Sequence, residues 1–189
     1  GADRLAALQN VDGGWDWPLD NGDPTSGSAS NTVGPIAMGL AQAYAHTLDP
    51  DHRDALLDAG EFLLAKINTF SPSDGYLAAQ LDAIFGGTIY VEYVKAHFYD
   101  PLAEGTYDRR GLGTLYDTEA YVQLIRDARA GDYANLAAWD IGIGLVGAAS
   151  CGVDMTEWLA GLKAEIDELD GDRWFDVVGL AGAVYGLAF

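Results

Sequence analysis

The sequence predicts an all-α domain built as an array of helical hairpins, and three observations carry that reading. Some segments place apolar residues on one helical face and charged residues on the other; others are apolar nearly all round and rich in Gly and Ala. The two kinds alternate along the chain. Each apolar segment also opens on a short polar residue, with Asn31, Asp82, Asp140 and Asp176 in comparable starting positions. With 189 residues, 49% of them hydrophobic, the chain is long enough to bury one sizeable core, so residues 1–189 are read as a single domain.

The string LQNVDGGWDW, from Leu8 to Trp17, comes first, where a helix is expected to end near Gln9. A Gly pair ends a helix through a left-handed turn; the indole of Trp15 packs back over that end, and the Gln9 amide bonds exposed backbone groups. Residues Asp16 to Ser30 follow, with a density of Pro, Gly, Asn, Asp and Ser that forbids regular structure. An apolar helix is expected over Thr32–His46. An amphipathic one is expected over Asp51–Ile67, with Leu56, Ala59, Gly60, Leu63 and Ile67 on its inner face and His46 and His52 as cap or surface groups. The run Leu81–Phe98 reads as the second apolar helix, and Tyr99–Thr114 as a second long loop.

Asp117–Ala130 is again amphipathic, through Tyr121, Val122, Leu124, Ile125 and Ala128. Trp139–Gly152 and Phe175–Phe189 are apolar, separated by the amphipathic Met155–Leu169. Glycine inside a helix costs up to about 1 kcal/mol relative to Ala, so Gly142, Gly144, Gly147, Gly179, Gly182 and Gly186 require close packing of an inner layer. The expected order is inner, outer, inner, outer, inner, outer, inner. If the alternation curves it makes a double ring of helices; if it stays straight it makes a solenoid or a bundle.

Gln9, Gly13 and Trp15 match the core of the QW repeat, so the string resembles that of squalene and oxidosqualene cyclases. DGGW-type strings also occur in related toroids: prenyltransferase beta subunits, complement-like thioester domains and a family of pectate lyases. Weaker copies stand at Asp74-Gly75-Tyr76 and around Asp172 and Trp174. The resemblance implies an α/α toroid. With seven or eight helices visible, against about twelve in complete rings of those families, it is a small or incomplete one.

The catalytic signatures of these families are not carried over. No DxDD acid motif occurs; Cys151 has Ala149 rather than Asp two residues before it, and is followed by Gly152, Val153 and Asp154 rather than by the Gly-Glu-Gln of a thioester. A lyase-type base stays open at Arg109, beside Arg110. No HExxH, GxSxG or Walker-type loop is found either.

Charge sets the partners. The 29 acidic residues against 10 basic ones give a net charge of −19, which repels nucleic-acid phosphates and anionic membrane surfaces. The longest apolar runs are about 13 residues against the ~20 that span hydrocarbon, so no membrane insertion is expected. Three lysines beside 22 aspartates fit a secreted or cell-surface setting. The lone Cys151, in the run AASCGV, reads as a buried structural thiol.

Asp16, Asp20 and Asp23 supply hard oxygens that would suit calcium, although no EF-hand pattern is present and no other cofactor is indicated. Trp15, Trp17, Tyr76, Tyr93, Trp139 and Trp174, with His97, Asp140, Asp176 and Arg109, are the candidate binding residues. Aromatic faces beside carboxylates and amides are platforms for neutral sugars. The expected function is therefore a non-catalytic ligand-binding or interaction domain for a neutral glycan or a protein. The alternative is a carbohydrate-active enzyme, a polysaccharide lyase or glycosidase, or a glycan-binding module.

Overall fold

The computed structural model describes residues 1–108, 137–156, 158–167, 169 and 174–188. The helix expected over Asp117–Ala130, the end of the second long loop, Arg109 and Arg110 lie outside them. The described chain is all-α: α1 (Ala2–Ala7), α2 (Val33–Thr47), α3 (Pro50–Leu64), α4 (Asp74–Phe85), α5 (Ile89–Val94), a π-helical turn (Lys95–Tyr99), α6 (Asp100–Ala103), α7 (Ala137–Ser150), α8 (Trp158–Asp167) and α9 (Trp174–Ala188). No helix among the described residues is long and apolar enough to cross a membrane.

Local chemistry sets the starts and stops. Asp49 caps α3 by accepting the Asp51 N–H at 2.9 Å, with Pro50 in the first turn, where its missing N–H costs nothing. The helix ends at Leu64, so Ile67, expected on the inner face, is 72% exposed. The run Leu81–Phe98 is not one helix. Gly86 and Gly87 take φ values of +82° and +99°, which ends α4. Asp82 then reaches across the break to accept the N–H groups of Tyr90 and Val91 at 3.2 and 2.9 Å, so it caps α5 from within α4. The chain stays helical through Tyr99 and into α6, and the second loop begins later than expected because Phe98, Tyr99 and Leu102 are buried. Phe98 stacks on Phe70 at 5.6 Å and meets the edge of Tyr107 at 5.1 Å.

The apolar helices contact one another in chain order, α2 on α4, α4 on α7 and α7 on α9, while α3 packs on α2 and α4, and α8 on α7 and α9. Glycine makes the inner contacts close. A Cβ on Gly142 would strike the Gly182 carbonyl, one on Gly186 would lie 2.6 Å from Gly142 Cα, and one on Gly75 would lie 2.9 Å from the Gly147 carbonyl. Gly142, Gly182 and Gly186 thus bring the α7 and α9 backbones together, and Gly75 and Gly147 those of α4 and α7, whereas Gly144 faces the Trp158 ring of α8. Cys151 closes the α4–α7 contact by donating to the Gly75 carbonyl at 3.3 Å, and burial pushes its thiol up to about 12.

The Gln9–Trp15 string forms a cap as expected, although α1 ends at Ala7 rather than near Gln9. Gly13 has φ +85°, and a side chain there would collide with the Asp58 carbonyl of α3. Gln9 Nε2 donates to the Gly13 and Ala55 carbonyls, both at 2.8 Å, and the fully buried Trp15 indole donates to the Leu5 carbonyl at 2.8 Å. His52, expected at the surface, is buried instead, with Nε2 2.8 Å from Asp3 Oδ1 and Nδ1 3.3 Å from Thr47 Oγ1.

One ion pair joins these parts. Lys66, just past α3, places Nζ 2.7 Å from Asp74 Oδ2 at the start of α4, and its side chain and that of Asp74 are 2% and 0% exposed. The same ammonium donates to the Ser30 carbonyl at 2.7 Å, and Asp74 Oδ2 accepts the Ser71 N–H at 2.8 Å. Asp74 Oδ1 is buried with no hydrogen-bond partner among the described residues. Removing the ammonium would strand a carboxylate in the interior, which costs about 3–5 kcal/mol. Lys66→Met should lower urea-unfolding stability by that amount. Lys66→Met/Asp74→Leu should recover part of the loss, short of wild type because the Ser71 N–H loses the Asp74 carboxylate that accepts it; a single-variant loss below ~1 kcal/mol would refute this role.

Candidate functional site

The inner helices α2, α4, α7 and α9 together line a cleft of about 570 Å³. Pro35, Met38, Gly39 and Gln42 come from α2, Tyr76 from α4, Trp139 and Ile143 from α7, and Ala181 and Tyr185 from α9. Three of the four helices present positions four apart, which in a helix share one face. Tyr76 is held at its place by the first turn of α4, two residues beyond the ion-paired Asp74 and next to the close Gly75–Gly147 contact.

Tyr76 and Tyr185 meet edge to face, with ring centroids 6.4 Å apart and hydroxyl oxygens 3.4 Å apart. Their shared hydrogen bond, together with partial burial and the repulsion that two phenolates would feel, pushes Tyr76 up to about 12. The Tyr76 phenol is therefore neutral at physiological pH. Among the described residues, the lining includes no Asp, Glu, Lys, Arg or His.

Of the expected site residues, Tyr76 and Trp139 come together here. Asp140 and Asp176 neighbour the cleft in sequence but are not among its lining; Asp140 is half-buried and Asp176 is 2% exposed. Trp174 opens α9, and Arg109 lies outside the described residues. Trp15 is part of the core, because the motif that drew attention to it is a helix cap. Trp17 is 81% exposed on the first loop. Tyr93 and His97 form a separate pair: their rings stack at 4.1 Å, His97 Nδ1 lies 2.9 Å from the Tyr93 carbonyl, and the Tyr93 hydroxyl donates to the Lys66 carbonyl at 2.6 Å. Burial pushes the Tyr93 phenol up. Met38, Gln42 and Tyr185 were missed in the sequence; their signal is the shared helical phase of 35, 38, 39 and 42, and of 181 and 185.

The first loop is knit by its own polar groups. Asp16 accepts from Asn10 Nδ2 at 3.0 Å and Ser26 Oγ at 2.7 Å, Asp20 pairs with Arg4 at 2.9 Å, and Asp23 accepts from the Thr25 N–H and hydroxyl at 3.0 and 2.6 Å. Asp12 binds Ser28 and Gly14; burial raises its carboxyl, but those hydrogen bonds outweigh burial and hold it below the usual carboxylate range. Among the described residues no group of three or more His, Cys, Asp or Glu side chains is placed to hold a metal ion. A second depression, of about 540 Å³, is lined by Asp3, Asp49, Asp51, Asp54 and Asp58 around His52 and Gln9.

Comparison with known protein families, with curated proteins and with solved structures finds no match to this chain.

Two outcomes follow from this geometry. A raised folded-state pKa stabilises the fold at pH below the unfolded tyrosine value of about 10, and that contribution fades as pH climbs through about 12. Absorbance at 295 nm should show a tyrosine ionising near pH 12 that Tyr185→Phe moves back toward 10; an unchanged titration in the variant would contradict the pairing. Because Asp16, Asp20 and Asp23 are bonded to separate neighbours, thermal melts in calcium and in chelator should coincide. A calcium-dependent rise in Tm would instead assign that loop to the ion.

Proposed function

We propose that this chain is a non-catalytic ligand-binding domain of the α/α-toroid type, acting at a cell surface or outside the cell, and that its inner cleft takes an uncharged ligand with a flat face. A neutral glycan is the chemistry that fits best. The carrying observation is the convergence of Tyr76, Tyr185 and Trp139 in one opening with the Gln42 amide, with no charged side chain lining it among the described residues. Sugar rings offer an apolar C–H face to stack on aromatics and hydroxyls to bond phenol and amide groups. Hydrolysis of a glycosidic bond ordinarily uses two flanking carboxylates, and none lines the cleft among the described residues, which supports a binding reading. The toroid reading draws support from the capping geometry of Gln9, Gly13 and Trp15 and from the alternation of inner and outer helices.

Intrinsic fluorescence and calorimetry against a panel of neutral oligosaccharides test this. Binding should perturb the emission of Trp139, and Trp139→Phe should abolish that change. Tyr76→Ala should weaken affinity about 3- to 10-fold, the value of one aromatic contact of about 0.5–1.5 kcal/mol. Silence across the panel at millimolar concentration would defeat the glycan proposal, and heat evolved only with polyuronates would move it to the lyase alternative.

A further inference from the structure

Helix α2 holds a glycine that packing does not explain. Glycine inside a helix destabilises it relative to alanine, because it gives up more backbone freedom on folding. At other helical glycines close approach supplies the reason. A Cβ on Gly34 would strike the Ser73 side chain, one on Gly60 would lie 2.6 Å from the Tyr90 hydroxyl, and Gly75, Gly142 and Gly182 lie against the backbone of a facing helix. Gly39 differs. It stands in the interior of α2, its φ is not positive, and a Cβ there would meet nothing within 4 Å. Neither the packing nor the backbone angle asks for a missing side chain.

The space it leaves belongs to the cleft. Gly39 lines the opening, with Pro35 one turn before it and Gln42 one turn after it on the same α2 face. It is therefore a notch in the α2 wall, between a rigid ring and an amide, while Tyr76, Trp139 and Tyr185 enter from α4, α7 and α9. Among the described lining residues, Gly39 alone brings no side chain. We propose that Gly39 is the specificity-determining position of the cleft: the edge of a sugar ring seats in the notch against the α2 backbone, and the Gln42 amide bonds a hydroxyl of that ring. The inference rests on the reading of the cleft as a site for a neutral glycan. A pyranose suits the notch, since its edge presents C–H groups that can lie against backbone and hydroxyls that an amide can bond. Helix α2 then forgoes the stability that alanine would add, the trade expected where a site must stay open.

Thermal melts and calorimetry on the wild-type chain, Gly39→Ala and Gly39→Leu test it, with cellohexaose, maltohexaose and xylohexaose as the probes. Gly39→Ala should raise Tm by about 2–4 °C, because the added methyl favours the helix and meets nothing. The same methyl fills the notch. Gly39→Ala should therefore weaken binding of the sugar that the wild type takes by about tenfold, and Gly39→Leu by more. A variant that is more stable and yet binds more weakly separates a ligand contact from a structural one. A wild type that binds none of the three sugars would sink the glycan reading and this inference with it. Wild-type binding that both variants leave unchanged, or a fall in Tm in Gly39→Ala, would overturn the assignment of Gly39 alone.

Discussion

The arrangement depends on one ammonium group. The chain has three lysines among its 189 residues, and Lys66 is placed in the interior, where its Nζ holds the Ser30 carbonyl and the Asp74 carboxylate while its own carbonyl accepts from Tyr93. Four segments therefore meet at one residue: the end of the first loop, the end of α3, the start of α4 and the α5 region. A charge taken out of water is tolerated only with close opposite charge and hydrogen bonds around it. This requirement fixes the segments relative to one another more tightly than apolar contact alone would, because apolar contacts can slide and a paired buried charge cannot. Tyr76 follows two residues after Asp74, so the same constraint sets one wall of the cleft.

Most of the helices could be read from the sequence because burial leaves a periodic trace. The faces of α3 and α8 and the apolar runs of α2, α7 and α9 stand close to where periodicity put them. What could not be read was settled by contacts distant in the chain or by backbone conformation inside an apolar run. LDAIFGGTIYVEYV looks continuous to a hydrophobic pattern, yet the positive φ angles of Gly86 and Gly87 divide it, and Asp82 becomes a cap for the helix after the break. His52 carries no local sign of burial; Asp3, 49 residues earlier, makes it tolerable.

The site was legible in part, for a related reason. Aromatics near helix starts were the candidate binding residues, but position along a helix says nothing about phase around it. Tyr76 and Trp139 have the phase that faces the cleft, while Tyr93 and His97 face Lys66 and each other. Trp15 belongs to the one strong local motif, and that motif's chemistry is capping: the indole N–H and the Gln9 amide bond carbonyls at the end of α1, in the turn after it and in α3, tying the three together. Phase at i and i+4 on the inner helices, applied to 38 and 42 or 181 and 185, is the signal that would have completed the set.

Charge and cleft then divide the molecule's surface. Asp3, Asp49, Asp51, Asp54 and Asp58 gather around His52 on the N-terminal side, and the first loop adds Asp12, Asp20 and Asp23. Among the described residues the cleft lining carries no charged side chain, and the adjoining exposed face of α9 is apolar. Coulomb repulsion between exposed groups falls away beyond about 8–10 Å at physiological salt, so the acids act mainly on long-range approach, and in the proposed function recognition within the cleft is left to stacking and neutral hydrogen bonds. Such recognition keeps its strength as salt rises, because neither stacking nor a phenol–hydroxyl bond depends on net charge. A strongly acidic surface and an aromatic cleft of the proposed kind are therefore compatible in one chain, because a neutral ligand in the cleft brings no further carboxylates together.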